Sequence, residues 1–192
     1  MTGSWPKDVF DRIHARDPDP WKVETSDYER AKYAATLAAL PRPRFQSALE
    51  VGCSIGVQTV LLAERCDTVL AIDIAAEPVR RTRERCANLA HVTVRQARIP
   101  QAWPVGRFDL VVLSEVLYFL DRTDLTETAN RAADSLAPAG AIVLVNWTGF
   151  TDTPTTGNEA AELFLQASGL PCVRSQTEAS YRLDLLKKEK KI

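Results

Sequence analysis

Polar and apolar positions along this chain follow two rhythms. Short, nearly continuous apolar runs occur at LEV (49–51), VLAI (69–72), LVVL (110–113) and AIVLV (141–145). Runs of that kind suit strands buried on both faces. Between them lie segments with apolar residues at helical spacing: 25–40, 56–66, 77–89 and 124–140. Thr25 or Ser26 is placed to cap the first, and PRPR closes it. Pro138 and Gly140 are expected to end the last. Ahead of these, the prolines of RDPDPW stop any helix in residues 1–20. HVTVRQA reads as a strand before a Pro/Trp-marked loop, RIPQAWPVG. The alternation predicts an open parallel α/β sheet with helices on both faces.

The last quarter breaks the alternation. The loop TGFTDTPTT leads into a helix, GNEAAELFLQASG, and then into two strand-like runs, PCVRSQ and SYRLDLLKK. Only TEA joins these runs, and so short a joint permits only an antiparallel hairpin. The prediction is a seven-stranded, mostly parallel sheet finished by that hairpin.

With 192 residues, the chain is expected to form one domain. A net charge of −1 argues against nucleic acid as a partner. The lysines of the tail LLKKEKKI read as a solvated terminus. No apolar run approaches the ~20 residues of a membrane span, and the first residues lack the apolar stretch of a secretory signal. A cytoplasmic location is therefore expected. The cysteines at 53, 66, 86 and 172 form no CxxC pair and read as reduced thiols. The only histidines are His14 and His91, so no metal site is expected.

The candidate chemistry starts at the turn after the first strand, Gly52-Cys53-Ser54-Ile55-Gly56. A dinucleotide fingerprint begun at Gly52 would need glycines where Ser54 and Val57 stand. An acidic-x-G-x-G-x-G turn for S-adenosylmethionine fits better, through Glu50, Gly52 and Gly56, with Ser54 as the departure. The second strand ends in Asp73, followed by Ile74. Asp73 stands about 20 residues past Gly52, where such folds place a carboxylate on ribose hydroxyls. A third group, FDLVVLSEVLYFL, delivers Ser114 and Glu115 to the carboxyl edge of the sheet, with Tyr118 and Phe119 on a short turn.

In this order, and with the closing hairpin, these groups resemble the Rossmann-like class I S-adenosylmethionine-dependent methyltransferases over residues 46–186. Within that class, the segment DPDPWKVETSDYERAKY, followed by the turn and FDLVVLSEVLYFL, resembles the nodulation protein S (NodS) group. The founding members of that group methylate a glucosamine nitrogen of a deacetylated chitooligosaccharide. The resemblance implies an N-terminal helical arm or lid (1–45) on an α/β core (46–192), with Trp21, Arg30 and Tyr33 over the cofactor. Arg30 would pair with the methionine carboxylate. S-adenosylhomocysteine would be the product, and Glu115 and Tyr118 the catalytic candidates. The implied acceptor is an amino sugar, an oligosaccharide or a related small amine, taken by a monomer or homodimer without membrane or nucleic acid.

Departures keep other readings open. Arg98 stands where relatives carry an acid or amide for the adenine amino group, leaving backbone near Ala97 and Ile99 to read it. Asn146-Trp147 stands where several relatives show His-Trp. An O-methyltransferase on a small metabolite is one alternative. A degenerate S-adenosylmethionine-binding partner subunit is the other.

Overall fold

The computed structural model describes residues 3–189. The last three residues of the lysine-rich tail, 190–192, lie outside it. Two helices come first, α1 (Lys7–Arg16) and α2 (Asp27–Ala39). The alternating part follows as β1 (Phe45–Val51), α3 (Val57–Ala63), β2 (Cys66–Asp73), α4 (Ala76–Arg85), β3 (Val92–Gln96) and β4 (Phe108–Ser114). A single 3-10 turn, Leu117–Phe119, then leads to α5 (Arg122–Ser135), β5 (Leu136–Trp147), α6 (Gly157–Ser168), β6 (Cys172–Thr177) and β7 (Tyr181–Lys187).

The strands form one seven-stranded sheet in the order β3-β2-β1-β4-β5-β7-β6. The first five are mutually parallel, and β7 runs antiparallel to both β5 and β6. This is the Rossmann-like class I methyltransferase fold with its antiparallel hairpin. The apolar runs read from the sequence are its center: Leu49, Val111, Leu113, Ile142 and Leu144 pack one face, and Ala48, Leu110, Val112, Val143 and Val145 the other. Both faces are dry, as parallel strands require.

Local chemistry sets the helix ends. Ser26 caps α2 by accepting from the Glu29 amide at 3.3 Å. Thr156 and Glu159 form a reciprocal capping box on α6. α1 stops at Arg16, just before Asp17-Pro18, as the prolines dictate.

One boundary differs from expectation. α5 ends at Ser135, ahead of Pro138 and Gly140, and Leu136 already pairs with Phe108. The register then shifts before Leu110. Pro138 and Ala139, the latter at φ 60°, are exposed at this irregularity. A bulge tolerates both a proline without an N–H and a left-handed residue, so these breakers mark an irregular strand entry.

The topology fixes where a ligand goes. From β1 the chain winds outward one way to β2 and β3, then returns to β4 and winds the other way. The crevice between the carboxyl ends of β1 and β4 is the switch point of the sheet.

Candidate active site

A cavity of ≈ 630 Å³ opens at that switch point, within the ~300–1,000 Å³ usual for small-molecule sites. Its floor is the turn after β1. Gly52, Ser54 and Gly56 all take left-handed backbone, at φ 76°, 49° and 83°. A Cβ on Gly52 would lie 2.3 Å from Val116 Cγ2, on the segment after β4. A Cβ on Gly56 would lie 2.9 Å from Thr82 Cγ2 on α4. The glycines are thus set by protein packing as much as by ligand approach. Ser54 tolerates its strained φ while its amide donates to Asp73 Oδ2 at 3.0 Å and its carbonyl accepts from Thr82 at 2.7 Å.

Asp73 closes β2 at the cavity. Its Oδ1 accepts from the Ala75 amide at 2.9 Å, so each oxygen keeps a lone pair free for a ligand hydroxyl. Burial pushes its carboxyl up to about 6, against the pull of these amides. Glu50, buried one residue before Val51, accepts from the Thr59 hydroxyl at 2.6 Å. Burial pushes Glu50 up to about 8, so at neutral pH it is held as the acid.

On the other side of the switch point stands Glu115, with a left-handed backbone at φ 58°. An ordinary residue in that conformation is strained, and such strain concentrates at functional positions. Its Oε2 accepts from the Tyr118 hydroxyl and from the Trp147 amide, each at 2.8 Å. Its Oε1 accepts from Lys32 Nζ at 2.7 Å. Three of about four acceptor positions are filled, and one on Oε1 stays free. Lys32 comes from α2, with its side chain only 3% exposed, and its ammonium also bonds Glu29 Oε1 at 2.8 Å. The same ammonium lies 5.0 Å from the Tyr28 ring center. Tyr28 in turn meets Trp147 and Tyr181 edge-on.

Most residues expected at the site meet here. Trp21, Tyr33, Glu50, Gly52, Cys53, Ser54, Asp73, Ile74, Arg98, Ile99, Ser114, Glu115 and Tyr118 all line the cavity. Arg30 does not. Its guanidinium pairs with Asp27 and the Thr25 carbonyl, and its side chain is 57% exposed. Engaged by these partners, the Arg30 side chain lies outside the cavity lining and is not directed at a place for a methionine carboxylate. Gly56 also lies outside the lining and serves as the cap of α3.

Sequence reasoning missed the Glu29–Lys32 pair, although both stood inside the quoted ERAKY segment. Their i,i+3 spacing puts them on one helix face, but nothing local reveals Glu115 opposite them. It also missed His14 of α1, which lines the cavity with its ring edge-on to Trp21, and whose burial lowers its pKa. Among the described residues, no cluster of side chains suits a metal ion and no helix is long and apolar enough to cross a membrane. Cys53, Cys66, Cys86 and Cys172 are all free thiols.

The donor set fits S-adenosylmethionine. Asp73 retains lone pairs for ribose hydroxyls, the buried Ser54 hydroxyl has no partner, and Glu29, Asp73, Glu115 and Asp152 outnumber Lys32 and Arg98 around the cavity. An acidic pocket favours a ligand bearing sulfonium and ammonium charges.

Comparison with known proteins agrees. Residues 6–145 match the family described as nodulation protein S (NodS). Nodulation protein S of Bradyrhizobium diazoefficiens is 34% identical over 122 residues, 62% of this chain and 58% of that protein. The Rhizobium tropici protein of the same name is 35% identical over 127 residues, 65% of this chain and 53% of its own length. The chain thus spans a little over half the length of the curated relatives it matches. A candidate methyltransferase from Pseudomonas syringae superposes with a TM-score of 0.75 at 36% identity, covering 84% of this chain and 99% of that one. The N-methyltransferase NodS of Bradyrhizobium japonicum, in complex with S-adenosyl-L-homocysteine, superposes at 0.80 with 23% identity, over 95% of this chain and 97% of its own.

Proposed function

Because this chain belongs to the nodulation protein S (NodS) family, we propose that it is an S-adenosylmethionine-dependent methyltransferase acting on the amine of a small molecule, with an amino sugar as first candidate. One observation carries this reading. Asp73 and Glu115 stand at the carboxyl ends of β2 and β4, on either side of β1. Two strand spacings separate them, about 10 Å. A ribose held at the first carboxylate brings the neighbouring sulfur toward the second.

When bound, the cofactor supplies a methyl group on a positively charged sulfur. Asp73 accepts from the ribose hydroxyls. The backbone of Gly52 to Ser54 lies against the methionine part, beside Glu50. Ile74, Ala97 and Ile99 give the nucleobase an apolar bed. Glu115 offers its free Oε1 lone pair to an N–H of the incoming amine, and takes up the proton released as the new bond forms. Tyr118 and the Trp147 amide hold the carboxylate's other oxygen. Because the sulfur loses its charge during transfer, alignment is the larger task, and the walls of the cavity supply it.

The test is a screen of amino sugars and small amines with S-adenosylmethionine, following S-adenosylhomocysteine release and locating the new methyl group by mass spectrometry. Methylation of an amine nitrogen is the expected result. Transfer only to hydroxyls would move the reading to O-methylation. Failure to bind S-adenosylhomocysteine at all would end it.

A further inference from the structure

Burying charged groups is costly, and replacing a whole buried ion cluster by apolar residues of similar volume often leaves a fold equally or more stable. Yet Lys32 is almost fully enclosed, bonded to Glu29 of its own helix and to Glu115 at the rim of the cavity. Glu29 lies on the same helix and adds no link to the core, so the ion pair that reaches across, between residues 83 apart, is Lys32 to Glu115. It falls on Oε1, the oxygen that keeps a free lone pair. The other oxygen is already fixed by Tyr118 and Trp147. Without Lys32 the carboxylate would keep two donors on Oε2 and lose the one that sets the direction of Oε1.

We propose that Lys32 is a positioning residue: it aims the Oε1 lone pair of Glu115 at the space in front of the transferable methyl group, so that the acceptor site is complete only when α2 is docked. This rests on the methyltransferase reading above.

A pure counter-charge and a positioning residue predict opposite signs. The probe is sinefungin, an S-adenosylmethionine analogue with an amine where the methyl group sits. S-adenosylhomocysteine, which lacks that group, is the reference. Calorimetric titration gives the affinity ratio of the two for the wild-type chain, Lys32→Met, Lys32→Arg and Glu115→Gln. The wild-type chain is expected to prefer sinefungin by about tenfold or more. Glu115→Gln is expected to lose that preference. If Lys32 were only a positive charge beside Glu115, Lys32→Met would strengthen binding of the probe's ammonium, and the preference would rise. If Lys32 aims the carboxylate, the preference falls by about tenfold, and Lys32→Arg, which keeps charge and donors, restores part of it.

Retained affinity for S-adenosylhomocysteine in each variant shows that the fold and the cofactor seat survive. A rising or unchanged preference in Lys32→Met overturns the proposal, as does a wild-type chain without preference, while both leave the cofactor reading intact. Absence of S-adenosylhomocysteine binding by the wild-type chain is the separate result that removes the methyltransferase reading itself.

Discussion

Two carboxyls of the cavity, Asp73 and Glu50, define the chemistry at the scale of single residues. Asp73 is expected to contribute a charged hydrogen bond to the ribose, so Asp73→Ala should weaken S-adenosylhomocysteine binding by about 1.5–3 kcal/mol. Unchanged calorimetric affinity would refute this. Glu50 carries a pH dependence of definite sign. Its carboxyl sits at about 8 in the folded chain against an ordinary 4.5. Its contribution to stability is full below that ordinary value and is lost as pH rises through about 8. Asp73 acts in the same direction over a lower window, from 3.8 to about 6. Glu50→Gln should therefore flatten the fall in melting temperature between the two Glu50 values. An ammonium arriving beside Glu50 should also expel its proton. Titrations at about pH 7 in buffers of different ionisation enthalpy should show up to one proton released, and Glu50→Gln should show none. Equal heats in all buffers would refute the linkage. Asp73 was legible from the sequence because its position after the second strand is fixed by the fold. Lys32 was not, because its partner lies 83 residues away and only the tertiary structure brings them together.

At the scale of elements, α6 follows directly from a segment that lines the cavity mouth, with Phe150 (98% exposed), Thr151, Asp152 and Thr153 on it. The Thr156–Glu159 box fixes where that segment ends and the helix begins. Thr156→Ala is expected to cost about 1 kcal/mol, a fall in melting temperature of about 2–4 °C for a chain of this size. A melting curve unchanged within error would show that the cap is redundant. The helices and strands were readable wherever apolar period and end signals agreed. They disagreed after α5. There Pro138 and Gly140 looked like helix terminators, but they lie within β5, whose first residue pairs before the register shifts. A breaker tells that regular structure is interrupted and leaves open which element it interrupts.

For the molecule as a whole, one cavity at the switch point gathers residues from α1, α2 and the carboxyl ends of five parallel strands. A ligand that fits it binds only the folded chain. S-adenosylhomocysteine at a hundred times its dissociation constant should add about 2.7 kcal/mol, which thermal shift would register as a rise of about 5–10 °C. No shift at that concentration would mean that the folded chain does not take up the ligand. The sheet order was predictable because alternation and a closing hairpin allow few arrangements. A lid over the cofactor followed from the family resemblance, but the ion pair that ties α2 to the rim did not, since it joins side chains 83 residues apart.

The near-contact between Gly52 and Val116 has a consequence for how this scaffold can change. The floor under the cofactor and the segment bearing Glu115 are wedged together, so altering one displaces the other. The mouth segment around Phe150 and Asp152 is not part of that wedge, so changes there leave it in place. Anyone wishing to retarget the protein should randomise those positions first and leave the wedge alone.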